Sequence, residues 1–331
     1  MSKISVVMAT YNGEKFVEEQ LESIRQQSRS VDEVLIADDC STDNTVEIIQ
    51  KFIDKYKLQH WFVKVNQKNV GWKRNFTNLI FQASGDIIFY CDQDDIWLLD
   101  KVRLMASILE KSEDYFCLSS HSVAIDGKGK LLDKSFNENA SESGNIKKVT
   151  SNDSQFFYPL GCTLAFRKEL LMYIDRSFYV CGTDLVIART AILLNGMYDI
   201  DLSLIKHRFH QNNVSNSLEK LKKYYGYSTI GERMKNVEED ILYFSIFAKV
   251  VKKYHLPLER ELCKHMSFAQ RRANILKKRN IFSFIYSFLV SGNFFIRYML
   301  IADLLYAFKL NRFVGRICNG MNLNLRKMKG N

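Results

Sequence analysis

The chain has 331 residues, of which 47% are hydrophobic and 25% charged, a composition that excludes a disordered or fibrous chain and suits one large domain with a smaller appendage. Its net charge of +10 is unevenly spread: residues 215–331 hold 22 Lys/Arg against 8 Asp/Glu, and the remainder is net acidic. A uniformly basic nucleic-acid binder would not divide its charge this way, so no nucleic-acid partner is expected.

The first predicted strand is Ile4 to Ala9, followed by a turn at Thr10-Tyr11-Asn12-Gly13 and a helix with Val17, Leu21 and Ile24 on one face. A second strand, Glu33 to Ala37, ends in the turn and cap residues Asp38 to Asp43. The next helix places Val46, Ile49, Ile53 and Tyr56 on one side. A third strand (Trp61 to Val65), a turn at Asn69-Val70-Gly71, a helix near Trp72 to Ala83 and a fourth strand (Asp86 to Cys91) complete the first third. Strands alternating with amphipathic helices predict an α/β fold with a mostly parallel central sheet, covered by helices on both faces. Beyond it come a helix (Lys101 to Lys111), strands at Phe116 to Ala124, Gly161 to Phe166 and Leu202 to Phe209, and a helix from Asp184 to Leu194. Residues 126–155 read as a long polar loop, a candidate lid or simply a connection. From Ser217 the pattern is helical and basic. The expected domains are 1–214, with halves 1–110 and 111–214, and a C-terminal helical region at 215–331.

The seven cysteines show no CxxC spacing, and several lie in apolar runs such as Phe89-Tyr90-Cys91; free thiols in a reducing compartment are expected. No charged-then-apolar leader precedes the first strand, so a cytoplasmic location is expected. The longest apolar run, Ile281 to Ile296, is interrupted by Gly292 and Asn293 and is short for a bilayer span.

Ligands of parallel sheets bind beyond the carboxyl ends of the strands, where three polar clusters fall: Thr10–Asn12, Asp38-Asp39 and Asp92–Asp94. Two carboxylates spaced i, i+2 where a strand ends, Asp92 and Asp94, suit Mg²⁺ or Mn²⁺, with phosphates supplying further ligands. The plainer reading is a solvated turn with a helix cap, for which Asp95 is the best candidate. Asp38 and Asp39 can accept hydrogen bonds from a pyrimidine N–H or a ribose hydroxyl, or can cap the following helix. Thr10 and Asn12 either edge the same pocket or shape the turn. Arg74 can reach a phosphate or be an ordinary surface arginine.

Together, Ser5–Gly13, Ala37–Asp43, Asn69-Val70-Gly71 and Cys91-Asp92-Gln93-Asp94-Asp95-Ile96-Trp97 resemble glycosyltransferase family 2, densely over residues 4–110 and sparsely to about 215. The DQDDIW form looks most like rhamnosyltransferase-like enzymes of bacterial surface polysaccharide synthesis. The resemblance implies a GT-A fold and an inverting, metal-dependent transfer from a nucleotide diphosphate sugar to a glycan hydroxyl. It assigns Thr10, Asn12, Asp38 and Asp39 to the nucleoside, Asp92 to ribose and metal, and Asp94 to the metal. Gly182-Thr183-Asp184 is similar to the stretch that carries the family's base, making Asp184 the catalytic candidate, with an ordinary helix N-cap as its alternative. It departs from that pattern in Cys181-Gly182-Thr183 and in the absence of a following aromatic pair. His207 to Asn213 is similar to a histidine-bearing family stretch, which makes His210 a further metal or phosphate candidate, with a hydrogen-bonded structural histidine as its alternative.

The implied donor is dTDP- or UDP-linked, and the implied acceptor a lipid-linked glycan. The basic, partly apolar C-terminal region suits peripheral contact with an anionic membrane at its inner face, or a helical bundle with a solvated basic side. Two rival enzyme classes lack their signatures: a nucleotidyltransferase would need a glycine-dense phosphate loop and a dinucleotide oxidoreductase a GxGxxG. A degenerate nucleotide- or glycan-binding scaffold is the non-enzymatic alternative.

Overall fold

The computed structural model describes residues 1–132, 144–150, 159–210, 230–290 and 294–310. The chain divides into two compact units, Met1–His210 and Gln211–Asn331.

The first unit is built on a nine-stranded mixed sheet. The strands are β1 (Ile4–Thr10), β2 (Glu33–Asp38), β3 (Trp61–Val65), β4 (Ile87–Cys91), β5 (Ile96–Trp97), β6 (Cys117–Ile125), β7 (Ile146–Lys148), β8 (Leu164–Arg167) and β9 (Met197–Arg208). The order is β3-β2-β1-β4-β8-β6-β9-β5, with β7 paired to β9. The first four strands run parallel; β8 is antiparallel to both β4 and β6, and β6 pairs β9 in parallel. The central strand β1 sets the register of the functional edge, with Thr10 opposite Asp38 and Met8 opposite Cys91. The carboxyl tips of β1, β2 and β4 therefore share one edge.

Period-two alternation divides the sheet between two helical layers. Ile4, Val6, Met8, Ile87, Phe89 and Cys91 pack into one cluster with Leu21 of α1 (Val17–Arg25), Ile49 of α2 (Thr45–Tyr56) and Met105 of α4 (Lys101–Leu109). On the opposite face, Tyr90 stacks at 3.9 Å on Phe76 of α3 (Trp72–Ile80). A fifth helix, α5 (Thr183–Leu193), lies beside α3, and the Thr77 and Thr183 hydroxyls meet at 2.9 Å.

Several expectations are corrected. Gly161–Thr163 is a turn of 3₁₀ helix, and the strand begins only at Leu164. Within the 126–155 segment, Ile146–Lys148 forms an edge strand; its exposed Ile-Lys-Lys carries no period to betray it. Residues 133–143 and 151–155 of the lid expectation lie outside the described residues. Asp95 does not cap a helix: Ile96–Trp97 is a two-residue strand, and α4 starts at Lys101 behind Asp100.

The second unit contains α6 (Ile230–Lys253), α7 (Glu259–Lys278), α8 (Ile281–Val290) and α9 (Phe294–Ala307). Asp303 of α9, fully buried, accepts from Arg233 Nε of α6 and Arg272 Nε of α7, each at 2.7 Å. Burial pushes its carboxyl up, but the two guanidiniums outweigh that and leave it lowered. Three helices are thus pinned by one buried ion cluster. Among the described residues, no helix is long and apolar enough to cross a membrane.

Candidate active site

The tip of β1 is tied to the loop after β2. Asp38 is 0% exposed and accepts from Thr10 Oγ1 at 2.8 Å, from the Ser41 backbone N–H at 2.8 Å and from Ser41 Oγ at 2.5 Å. Asn12 sits in the left-handed region (φ 49°), which asparagine tolerates better than most residues. Its Oδ1 accepts from the Thr42 N–H and its own N–H donates to Ser41 Oγ, both at 2.8 Å. Thr10, Asn12, Asp38 and Ser41 therefore form one hydrogen-bonded corner.

Asp39 faces the other way and is also buried. Its Oδ1 accepts from the Val70 N–H at 2.8 Å and Asn66 Nδ2 at 3.0 Å, and its Oδ2 from the Gly71 N–H at 2.8 Å. Gly71 precedes α3 with φ 81°, a value that favours glycine. This carboxylate holds the turn from which α3 departs. Arg74 lies exposed in the first turn of that helix.

At the tip of β4, Gln93 reaches back to β1. Its Oε1 accepts from the Tyr11 N–H at 2.9 Å, and its Nε2 donates to the Tyr11 carbonyl at 3.0 Å. A side-chain amide thus joins the two tips. Next to it, Asp94 Oδ2 lies 2.7 Å from His210 Nε2, and the His210 ring rests 4.7 Å from that of Phe16. Asp95 Oδ1 meets His207 Nδ1 at 2.9 Å and accepts from the Arg208 N–H at 3.0 Å. Arg208, almost wholly buried, donates from Nε to the Asp94 carbonyl at 2.8 Å and pairs with Glu19. The C-terminal end of β9 is in this way clamped to the acidic turn.

The electrostatics are those of crowded acids. Desolvation, then repulsion from Asp95 and Asp94, raises Asp92 to about 8; Asp184 adds to the repulsion. For Asp95, desolvation is outweighed by the hydrogen bond and charge of His207, and its carboxyl is lowered. Burial depresses His207, yet Asp95 beside it leaves the imidazole raised. Beneath the turn, Lys101 is buried with its Nζ 2.6 Å from the Cys162 carbonyl; burial drives its ammonium down to about 8.

Asp184 stands in the first turn of α5, and the cap position is taken by Gly182 (φ 86°). Its Oδ1 accepts from the Leu185 N–H at 2.9 Å. A methyl group on Gly182 would lie 3.2 Å from that oxygen and 3.4 Å from the Trp72 ring. One on Gly161 would lie 3.0 Å from Tyr90 and 3.3 Å from Asp184 Cβ. Both glycines keep space around the carboxylate. Asp92, Asp94, His210 and Asp184 are thus brought to one acidic pole, with the Thr10–Asn12–Asp38 corner joined to it through Gln93.

Three contributors are not singled out by the sequence, Gln93, His207 and Lys101; Ser41, expected only as a cap of the next helix, instead ties Asp38 to Asn12. Gln93 was in view within the DQDD turn, but its partner is a backbone 82 residues away, which no local spacing reveals.

The model of the family described as "Glycosyl transferase family 2" matches residues 5–174. The chain belongs to glycosyl transferase family 2. It is 31% identical over 225 residues to the dTDP-rhamnosyl transferase RfbG of Shigella flexneri, covering 62% of this chain and 72% of RfbG. It is also 31% identical over 180 residues to the poly(ribitol-phosphate) beta-N-acetylglucosaminyltransferase TarS of Staphylococcus aureus, covering 54% of this chain but only 30% of TarS. The crystal structure of TarS 1–349 in complex with UDP-GlcNAc superposes with a TM-score of 0.58 at 18% identity, over 95% of this chain and 92% of that one. The mannosyltransferase PcManGT of Pyrobaculum calidifontis, in complex with GDP-Man and Mn²⁺, gives 0.52 at 14% identity over 94% and 87%. These solved structures share the α/β fold, GT-A in type, described above. The chain spans less than a third of the length of TarS.

Proposed function

We propose that this family 2 enzyme transfers a hexosyl group, rhamnose or another hexose, from a dTDP- or UDP-linked donor to a hydroxyl of a lipid-linked glycan. The transfer inverts the anomeric centre and serves bacterial polysaccharide synthesis at the inner face of the membrane. The 72% coverage of a dTDP-rhamnosyl transferase favours rhamnose, and the TarS likeness keeps an N-acetylhexosamine from UDP beside it. The observation that carries the reading is geometric: Asp94, 2.7 Å from His210, shares the tip of β4 with Asp92 and Asp95, and Gln93 ties that tip to the Thr10–Asn12–Asp38 corner; burial first, then the charges of Asp95, Asp94 and Asp184, raise Asp92. Such an assembly is disfavoured without a cation and relieved by one.

The residues fit a hard divalent ion, Mg²⁺ or Mn²⁺. Asp94 and His210 would hold it, with Asp92 alongside, since two carboxylates and an imidazole are donors such an ion accepts. When bound, it supplies Lewis-acid stabilisation of the charge on the departing diphosphate. Thr10, Asn12 and Asp38 build the wall on the nucleoside side, and Asp39 braces the turn before α3 beside it. Arg74, exposed at the start of α3, offers a charge-assisted contact to a phosphate. Asp184 takes the proton of the acceptor hydroxyl as its oxygen attacks the anomeric carbon and the bond to the diphosphate oxygen breaks. Its place in the first turn of α5, where the helix dipole favours negative charge, suits it to that task.

A thermal-shift screen of UDP-, dTDP- and GDP-sugars, with and without Mn²⁺, tests the proposal. A donor present at 100 times its Kd adds about 2.7 kcal/mol of stability. The expected result is a Mn²⁺-dependent rise for a UDP- or dTDP-sugar; no rise for any of them would sink the assignment. Asp184→Asn should then bind donor as wild type does while losing transfer by about 10² or more.

A further inference from the structure

Helix α8 is inside out. Its serine Ser287 is buried and accepts from Arg271 Nε at 2.9 Å. Most of its large apolar side chains face outward: Phe282 is 81% exposed and Leu289 71%, with Ile281, Ile285, Tyr286 and Val290 also exposed, while Phe284 and Phe288 are half-buried. Phe282, Ile285, Tyr286 and Leu289 fall at i, i+3, i+4 and i+7, one continuous stripe. Folding against a soluble core alone gives no reason to turn serine in and phenylalanine out, and a stripe of this kind marks a surface of contact.

The occupant is indicated by charge. From Cys263 to Ala302 the sequence has seven Lys/Arg and no Asp/Glu. Lys278 and Arg279 are exposed directly before the stripe, next to Lys277, which pairs with Glu238 at 2.8 Å, and Arg297 is exposed after it. Arg271 lies 5.1 Å from the Tyr286 ring, at the side of the stripe. A second copy of this chain would set one acid-free basic segment against another, which repels. An anionic phospholipid surface meets both halves of the pattern. Ten residues rise about 15 Å, too short to span a bilayer but sufficient to lie in its interface.

We infer that α8 is the element by which this protein docks on anionic bilayers, its Phe282–Leu289 stripe entering the acyl boundary while Lys278, Arg279 and Arg297 meet the headgroups. The inference deepens the membrane location proposed above; it is independent of which sugar is transferred.

The test is co-sedimentation of the full chain with vesicles of phosphatidylcholine alone and of phosphatidylcholine with phosphatidylglycerol, alongside sedimentation velocity without lipid. Wild type should pellet with the anionic vesicles, weakly with the neutral ones, and less as salt is raised. Phe282→Ser with Leu289→Ser should weaken binding at least about tenfold, since each side chain withdraws an apolar group from the bilayer. Lys278→Glu with Arg279→Glu should do the same for anionic vesicles only. All four positions are exposed, and an unchanged far-UV spectrum and melting temperature separate lost docking from lost fold. Wild-type pelleting by the serine variant would overturn the inference, as would a dimer of the wild type that the serine variant abolishes. A failure here with donor binding intact removes the docking element and leaves the transferase reading standing.

Discussion

Replacing Asp39 by alanine removes one carboxylate and strands three donors: the Val70 and Gly71 N–H groups and Asn66 Nδ2, at 2.8, 2.8 and 3.0 Å. A buried donor left without an acceptor costs about 1–3 kcal/mol. All three are only part-buried, so water replaces some of the loss and the low end applies, giving about 3 kcal/mol in total. For a unit of this size, about 2–4 °C per kcal/mol converts that to a fall of roughly 6–12 °C in Tm. Asp39→Asn keeps the volume but turns an amide nitrogen toward one of the donors, and about half the loss is expected. The consequence extends to the site, because the turn held by Asp39 launches α3, whose Trp72 borders Gly182 and the Asp184 carboxylate. The assay is thermal unfolding of the full chain followed by circular dichroism, with donor KM measured well below the melting range. A Tm within about 2 °C of wild type would refute the reasoning that this acid braces the turn.

Gly85→Ala should destabilise by about 1–3 kcal/mol or more in urea unfolding, because overpacking here meets backbone. The added carbon would lie 2.6 Å from Ser5 Oγ, 2.7 Å from Ser5 N and 2.8 Å from the Lys3 carbonyl. Asp303→Ala should cost the helical unit about 3–5 kcal/mol by leaving Arg233 and Arg272 buried without their anion, read as a lower urea midpoint in far-UV circular dichroism. Divalent-ion affinity should depend on pH through Asp92. With this acid raised to about 8, binding below that pH must expel its proton. Affinity for Mn²⁺ therefore falls by up to about tenfold per unit as pH drops below 8 and is level above it. Titration calorimetry should find this slope reduced in Asp92→Asn.

The parallel half of the sheet was legible because its strands are continuous apolar runs and its helices keep a 3.6-residue period; β1, β2, β3 and β4 fall within a residue of where the pattern puts them. The antiparallel half was less so. Gly161-Cys162-Thr163 is as apolar as a strand yet coils, because the chain turns there beside Tyr90 and Asp184. The strand β9 starts at Met197, five residues before alternation becomes visible at Leu202, since its early part is held by pairing with β6 rather than by its own pattern. The acidic turn announced itself by composition, but the buried partners that organise it did not. His207 meets Asp95, Arg208 meets the Asp94 carbonyl and Gln93 meets Tyr11 only once strands far apart in sequence are adjacent.

The proposed reaction requires that acids from separate strand tips gather around a divalent ion and grip a pyrophosphate. Calorimetric titration of UDP and dTDP into wild type and Asp94→Asn, each with and without Mn²⁺, tests it most directly. Mn²⁺ is expected to strengthen binding of one of these nucleotides to wild type by about tenfold or more and to leave the variant unchanged. Equal enhancement in both proteins, or none in wild type, would contradict it.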